Sequence, residues 1–360
     1  MKISVVLGTR PEIIKLAPLI KELQKKQADF FVLHTGQHYS YQLDKVFFDQ
    51  LELPQPRYNI DVGSGSHAEE TGKMLIGIEK ILLKEKPDIV LAEGDTNSVL
   101  AGALAAAKIG IKVGHVEAGL RSYDRSMPEE INRALTDHLS DYLFAPTPKA
   151  KQILLSEGIG EENIFVTGNT IVDAVYQNLE LSKSKIDVTN DLHLKPEQYF
   201  LVTLHRQENV DNTSRFASIL EGLSRLAARF RLPVVYPIHP RSRQRLGRFT
   251  PPLQKLTIID PVDFLSFLQL ESNAKLILTD SGGVQEEACI LGVPCVTLRD
   301  NTERPETLEV GANILAGALP DSIVECAESM LTKRNSWSNP FGDGRAAERI
   351  ANIVMEAENG

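Results

Sequence analysis

KVGHVEAGLRSYDRSMPEEINR, residues 112–133, shows the architecture in a single βα unit. The apolar strand KVGHVE (112–117) ends in a carboxylate, Gly119 breaks it, and a polar loop follows. Pro128 then opens a helix, at a position where a residue without an N–H leaves nothing unsatisfied. In an open α/β sheet the strand ends point into the crevice where ligands bind. An apolar strand running straight into Glu117 therefore marks it as a functional carboxylate. Asp124, Arg125 and Glu130 read as surface charge.

The same alternation recurs along the chain. ISVVL (3–7), FFVLH (30–34), DIVLA (88–92), YLFA (142–145) and IFV (164–166) alternate with amphipathic stretches. Continuous Val/Ile/Leu strands separated by helices predict a parallel sheet covered on both faces. Residues 180–198 are polar and aperiodic and read as the linker. The pattern restarts at YFLVTL (199–204) and runs through VVYPI, LTIID, KLILT and PCVTL to a last helix at 345–357. The predicted fold class is α/β, two Rossmann-like domains facing across a cleft, over residues 1–170 and 171–344.

Composition fits this. At 360 residues with 42% hydrophobic side chains, the chain has material for two packed cores. Its 39 basic and 48 acidic residues leave a net charge of −9, which argues against a nucleic acid or an anionic membrane as partner. Cys289, Cys295 and Cys326 are odd in number and lack metal-ligand spacing, so they read as buried thiols, and no metal or cofactor is expected. Lys2 leads straight into the first strand and no apolar run reaches spanning length, so a cytoplasmic protein is expected.

Four strand-end motifs carry the chemistry. GTRPEIIK (8–15) places Arg10 and Lys15 near a helix N-terminus, an anion site in outline. EGDTNSVLAG (93–102) offers Asp95, open to two readings: a helix cap or a chemical group. TLHRQENVD (203–211) puts His205 and Arg206 at a strand end, where their charge could neutralise a phosphate. LTDSGGVQEEA (278–288) is the strongest signal. Ser281, Gly282 and Gly283 turn tightly into a helix whose bare N–H groups suit a pyrophosphate. Glu287, about 6 Å further along the axis, could then reach ribose hydroxyls, and RDNTERPE (299–306) brings Arg304 beside the same pocket. GSGSHA (63–68) and GDGRAA (342–347) match the relaxed dinucleotide pattern but lack a leading buried strand.

Taken in order, GTRPEIIK, TGQH (35–38), GDTNS (94–98), HVEAGLRS (115–122), MPEEINR (127–133), TLHRQEN, HPR (239–241), LTDSGGVQEEA and TERPE (302–306) resemble the non-hydrolysing UDP-N-acetylglucosamine 2-epimerases over nearly the whole chain. The resemblance implies the glycosyltransferase-B arrangement, with the last helix crossing back to the first domain. It implies a homodimer that interconverts UDP-GlcNAc and UDP-ManNAc for surface polysaccharides. Carried over, the catalytic group is Asp95, Glu117, Glu129 and His205. Substrate contacts are Arg10, Lys15, Phe267, Ser281, Gly282, Gly283, Glu287 and Arg304. Gln37, His38, Arg206 and His239 correspond to a possible activator site, although GSGSH (63–67) departs from the Gln/Arg-bearing segment expected beside it. Val262 replaces a glutamine found in some members.

The chemistry agrees with that assignment. The C2 proton is not α to a carbonyl, so its loss must be coupled to departure of UDP from C1, through a 2-acetamidoglucal. Rival readings are a 2-epimerase of another UDP-sugar such as a diacetamido-glucuronic acid, a hydrolysing 2-epimerase, a retaining glycosyltransferase, and a non-catalytic UDP-sugar sensor.

Overall fold

The computed structural model describes residues 1–36, 41–238, 240–246, 256–333 and 337–356. They form two compact units, Met1–Gln177 with Phe341–Gly360, and Asn178–Pro340.

The first unit is built on β1 (Lys2–Leu7), β2 (Asp29–His34), β3 (Tyr58–Asn59), β4 (Ile89–Glu93), β5 (Lys112–Val116), β6 (Tyr142–Ala145) and β7 (Ile164–Val166). All pair in parallel, in the order β3-β2-β1-β4-β5-β6-β7. Ile3, Val5, Val6 and Leu7 are all fully buried, as expected of a strand covered on both faces. Small side chains let the Asn97–Lys108 helix sit close to the sheet, where a Cβ on Gly102 would stand 3.1 Å from Val6. The direction of winding reverses between β1 and β4.

The second unit has β8 (Phe200–Thr203), β9 (Val234–Pro237), β10 (Leu256–Ile259), β11 (Leu276–Thr279), β12 (Cys295–Thr297) and β13 (Asn313–Leu315). Their parallel order is β10-β9-β8-β11-β12-β13, reversing between β8 and β11. Alternation along β8 feeds two cores. Phe200 and Val202 join the cluster under the Thr213–Phe230 and Pro320–Thr332 helices, while Leu201 joins Leu270, Val284 and Ala288 on the other face.

The linker expected at 180–198 is not one. Helix Thr170–Lys185 runs through the boundary between the units, and a short helix, Val188–Asp191, follows. Ile186, Val188, Leu192 and Leu194 pack into the core of the second unit, and Gln269 accepts from Val188 N at 2.8 Å and donates to the Ile186 carbonyl at 2.9 Å. The charged residues between them hid a buried stripe. At the other end of the chain, Asp173 caps the Ala346–Glu356 helix by accepting from Ala346 N and Ala347 N.

Candidate active site

Each unit gathers predicted groups at strand ends at or beside the point where its winding reverses, the region in which open α/β sheets bind ligands.

In the first unit β1 is followed by Gly8, Thr9 and the helix Arg10–Lys25, and β4 by Gly94, Asp95 and Thr96. Lys15 reaches back from the helix to two carboxylates. Its Nζ lies 2.5 Å from Glu117 Oε2 and 3.0 Å from Glu93 Oε1. The second oxygen of Glu117 accepts from Asn169 Nδ2 at 3.0 Å. Glu93 is 1% exposed and Glu117 9%. Burial lifts the Glu93 carboxyl well above the usual range; Lys15 opposes the rise, and Glu117 adds to it.

Glu117 has a left-handed backbone, φ +72°, a conformation costing a non-glycine residue on the order of 1–3 kcal/mol. What holds it is a buried ionic network. The amides of Glu117 and Ala118 both donate to the Phe144 carbonyl, each at 3.1 Å. Gly119 follows at φ +82°, where a Cβ would meet the Ala150 carbonyl at 2.5 Å, and its N–H donates to Asp137 Oδ2. Asp137 also binds His115 Nδ1 at 2.6 Å and Arg121 Nη1 at 2.6 Å. Burial works against the charge on His115, but Asp137 and the Gly94 carbonyl together hold the imidazole above its ordinary pKa. Burial likewise opposes the charge on Asp137, yet His115 and Arg121 hold it below the usual carboxylate range.

The remaining first-unit residues divide. Asp95 is no cap, because Thr96 occupies that place and accepts from Val99 N. The Asp95 carboxylate pairs instead with Arg133, and its carbonyl takes Asn132 Nδ2 at 2.9 Å. Glu129 is exposed on the first turn of the Pro128–Leu139 helix. Its neighbour Glu130 is not the surface charge expected: at 6% exposure it accepts from Ser122 N, Tyr123 N and Arg133, and so closes the loop. Adjacent helical positions face different ways, and only the tertiary fold decides which one turns inward. Arg10 lies 3.9 Å from Asp44 and stacks on Phe47. Gly8 does permit a close approach, but the approaching groups are the hydroxyls of Thr35 and Ser98.

In the second unit His205 and Ser281–Gly283 follow the two strands flanking the reversal, β8 and β11. Asp280, fully buried, ties them together. It accepts from the amides of His205 and Arg206 at 3.0–3.1 Å, from Asn209 Nδ2 at 3.1 Å, and faces His205 Nδ1 at 3.0 Å. Burial opposes that charge, yet His205 and Asn209 keep Asp280 below the usual range. Ser281 caps the Gly282–Leu291 helix through Val284 N at 3.5 Å. A Cβ on Gly282 or Gly283 would find its nearest neighbour at 3.8 or 3.9 Å, so no described residue crowds that helix start. Glu287, one turn on, lies against Glu271, which is fully buried on the Phe264–Ser272 helix. Burial pushes Glu287 up to about 7, with a hydrogen bond to Glu271 pulling the other way and Glu286 adding to the rise. Arg304 pairs with Glu286 at 2.8 Å. Phe267 is half-buried against the core beside the same helix. Arg206 lies 3.7 Å from Glu303. Gln37, His38 and His239 lie outside the described residues.

Sequence reasoning missed Glu93, Asp137, Asn169, Glu271 and Asp280. Glu93 and Asp280 carry the signal that singled out Glu117, a carboxylate at the end of an apolar strand. Asp137 and Glu271 had none, since nothing local marks a helical polar residue as buried, and neither did Asn169, in the loop before the Thr170–Lys185 helix. No cluster of three or more potential metal ligands occurs among the described residues.

A family model described as UDP-N-acetylglucosamine 2-epimerase matches residues 21–355. The UDP-N-acetylglucosamine 2-epimerase of Methanocaldococcus jannaschii is 57% identical, the match covering 98% of this chain and 99% of the relative. Its crystal structure in complex with UDP-GlcNAc and UDP superposes with a TM-score of 0.86, covering 99% of this chain and 100% of that one. A Pseudomonas aeruginosa relative, UDP-2,3-diacetamido-2,3-dideoxy-D-glucuronate 2-epimerase, is 43% identical over 99% of this chain and all of its own length.

Proposed function

The chain belongs to the UDP-N-acetylglucosamine 2-epimerase family, and we propose that it interconverts UDP-GlcNAc and UDP-ManNAc by eliminating and re-adding UDP. Glu117 takes the C2 proton while the C1–O bond breaks. Its electron pair leaves with the β-phosphate oxygen, and a C1–C2 double bond forms in 2-acetamidoglucal. Asp95 or Glu129 delivers a proton to the opposite face of C2, UDP oxygen returns to C1, and the configuration is inverted. His205 and the Ser281–Gly283 amides take up the charge on departing UDP. Glu287 serves the ribose, and Arg10, Lys15, Phe267 and Arg304 complete the substrate contacts. The reading includes a cytoplasmic homodimer.

The observation that carries this is Glu117 itself: a nearly buried carboxylate on strained backbone, paired with Lys15, at the end of β5, the strand next to the reversal of a parallel sheet. Strain of that kind persists where surrounding structure imposes it and clusters at active sites. The test is Glu117→Gln incubated with UDP-GlcNAc in deuterated water. Deuterium incorporation at C2 is expected to vanish while UDP still binds; undiminished exchange removes Glu117 from the role. The same incubation with a UDP-diacetamido-glucuronate separates the two substrate types named among the relatives.

A further inference from the structure

A lysine-paired carboxylate is a weak base, because the ammonium favours its charged form. Glu117 is such a carboxylate, with Lys15 Nζ 2.5 Å away and Asn169 donating to its other oxygen. Both contacts stabilise the anion and so oppose proton uptake. A second acid stands beside it. Glu93 ends β4 in register with Val116, the residue before Glu117, and its Oε1 lies 3.0 Å from the same ammonium.

We propose that Glu93 is a positioning residue that restores the basicity of Glu117, the two carboxylates sharing Lys15 so that a single proton entering the pair neutralises the cluster. The inference rests on the reading of Glu117 as the C2 base. With both carboxylates ionised the three groups carry one net negative charge, held almost without solvent. A proton taken from C2 removes that charge. With Glu93 neutral, the same proton would instead leave Lys15 uncompensated. Crowded carboxylates titrate as a pair, with one apparent pKa raised. Among the described residues, other charges near the cluster include His115, which also feels Glu117, and Asp137 behind it. Glu12, on the helix that carries Lys15, turns instead to Gly8 N, Thr9 N and Thr96.

The test compares Glu93→Gln and Glu93→Asp with the unaltered enzyme, following C2 deuterium exchange and kcat/KM across pH. The acid limb of kcat/KM reports the essential base of the free enzyme. In Glu93→Gln, which keeps the shape and a hydrogen-bond acceptor for Lys15, the limb is expected to move at least about one pH unit lower and the plateau to fall roughly tenfold. Glu93→Asp is expected to keep the limb nearer its original position, and thermal melting shows whether either variant is folded. A purely structural role for Glu93 would lower activity without moving the limb, so an unmoved limb in Glu93→Gln overturns the proposal. Should that variant not fold, a limb displaced downward in Glu93→Asp by as much as one unit overturns it, since the second charge is still there. If Glu117→Gln retains full exchange, the base assignment falls and this inference falls with it. Loss of exchange in Glu117→Gln with an unmoved limb in Glu93→Gln sinks the inference alone.

Discussion

The two reversal points use the same topology and opposite materials. In the first unit the strand ends at and beside the reversal, β4 and β5, are surrounded by buried ions: Lys15 between Glu93 and Glu117, and Asp137 between His115 and Arg121. In the second, the loop after β11 ends at a helix start flanked by two glycines, with one buried aspartate behind it. Proton transfer needs a carboxylate whose position and affinity are both imposed, and imposing them takes counter-charges and a strained backbone. Anion binding needs bare N–H groups and room, which glycines at a helix start provide at little cost.

Removing the central carboxylate on each side tests that contrast most severely. Asp137→Asn should leave His115 and Arg121 without their shared counter-charge, at a cost of about 3–5 kcal/mol. Asp280→Asn, which loses mostly hydrogen bonds from amides, should cost about 1–3 kcal/mol. Denaturant midpoints of the two variants measure the difference, and equal losses would erase the distinction.

A smaller effect sits on Glu287. Raised to about 7, its carboxyl stays protonated well above the ordinary carboxylate range, and the protonated form is a poorer acceptor for two hydroxyls. The sign follows: UDP affinity should rise with pH, by roughly tenfold between about pH 6 and about pH 8 if only the ionised form binds well. Calorimetric titration of the enzyme and of Glu287→Gln separates this from titration of UDP itself, because the variant should lose the protein's share of the slope.

The least effect belongs to the cap. Ser281 holds Val284 N at 3.5 Å, at the limit for a hydrogen bond, so Ser281→Ala should cost only about 0.5 kcal/mol in thermal stability. A larger loss would mean that the hydroxyl supports the Ser281–Gly283 turn more than its geometry suggests.

Much of this was legible in the chain itself. Apolar strands of three to six residues separated by amphipathic stretches determined a doubly wound α/β protein, because such strands are stable only when covered on both faces. Strand-end motifs located Glu117, His205 and Ser281–Gly283, because parallel topology sends all strand ends to one edge. Partnership was decided elsewhere. Glu130 and Glu129 are neighbours in sequence, yet one closes a loop from within and the other is exposed. Residues 180–198 look like a linker until Gln269 and the core around Leu270 receive them. Lys15 and Glu93 are 78 positions apart, and only the pairing of β1 with β4 brings the lysine's helix over the glutamate. Local sequence sets periodicity, turns and caps, which depend on neighbours a few residues away. Which charges meet, and so which proton affinities shift, depends on burial and on distances that exist only once the sheets have formed.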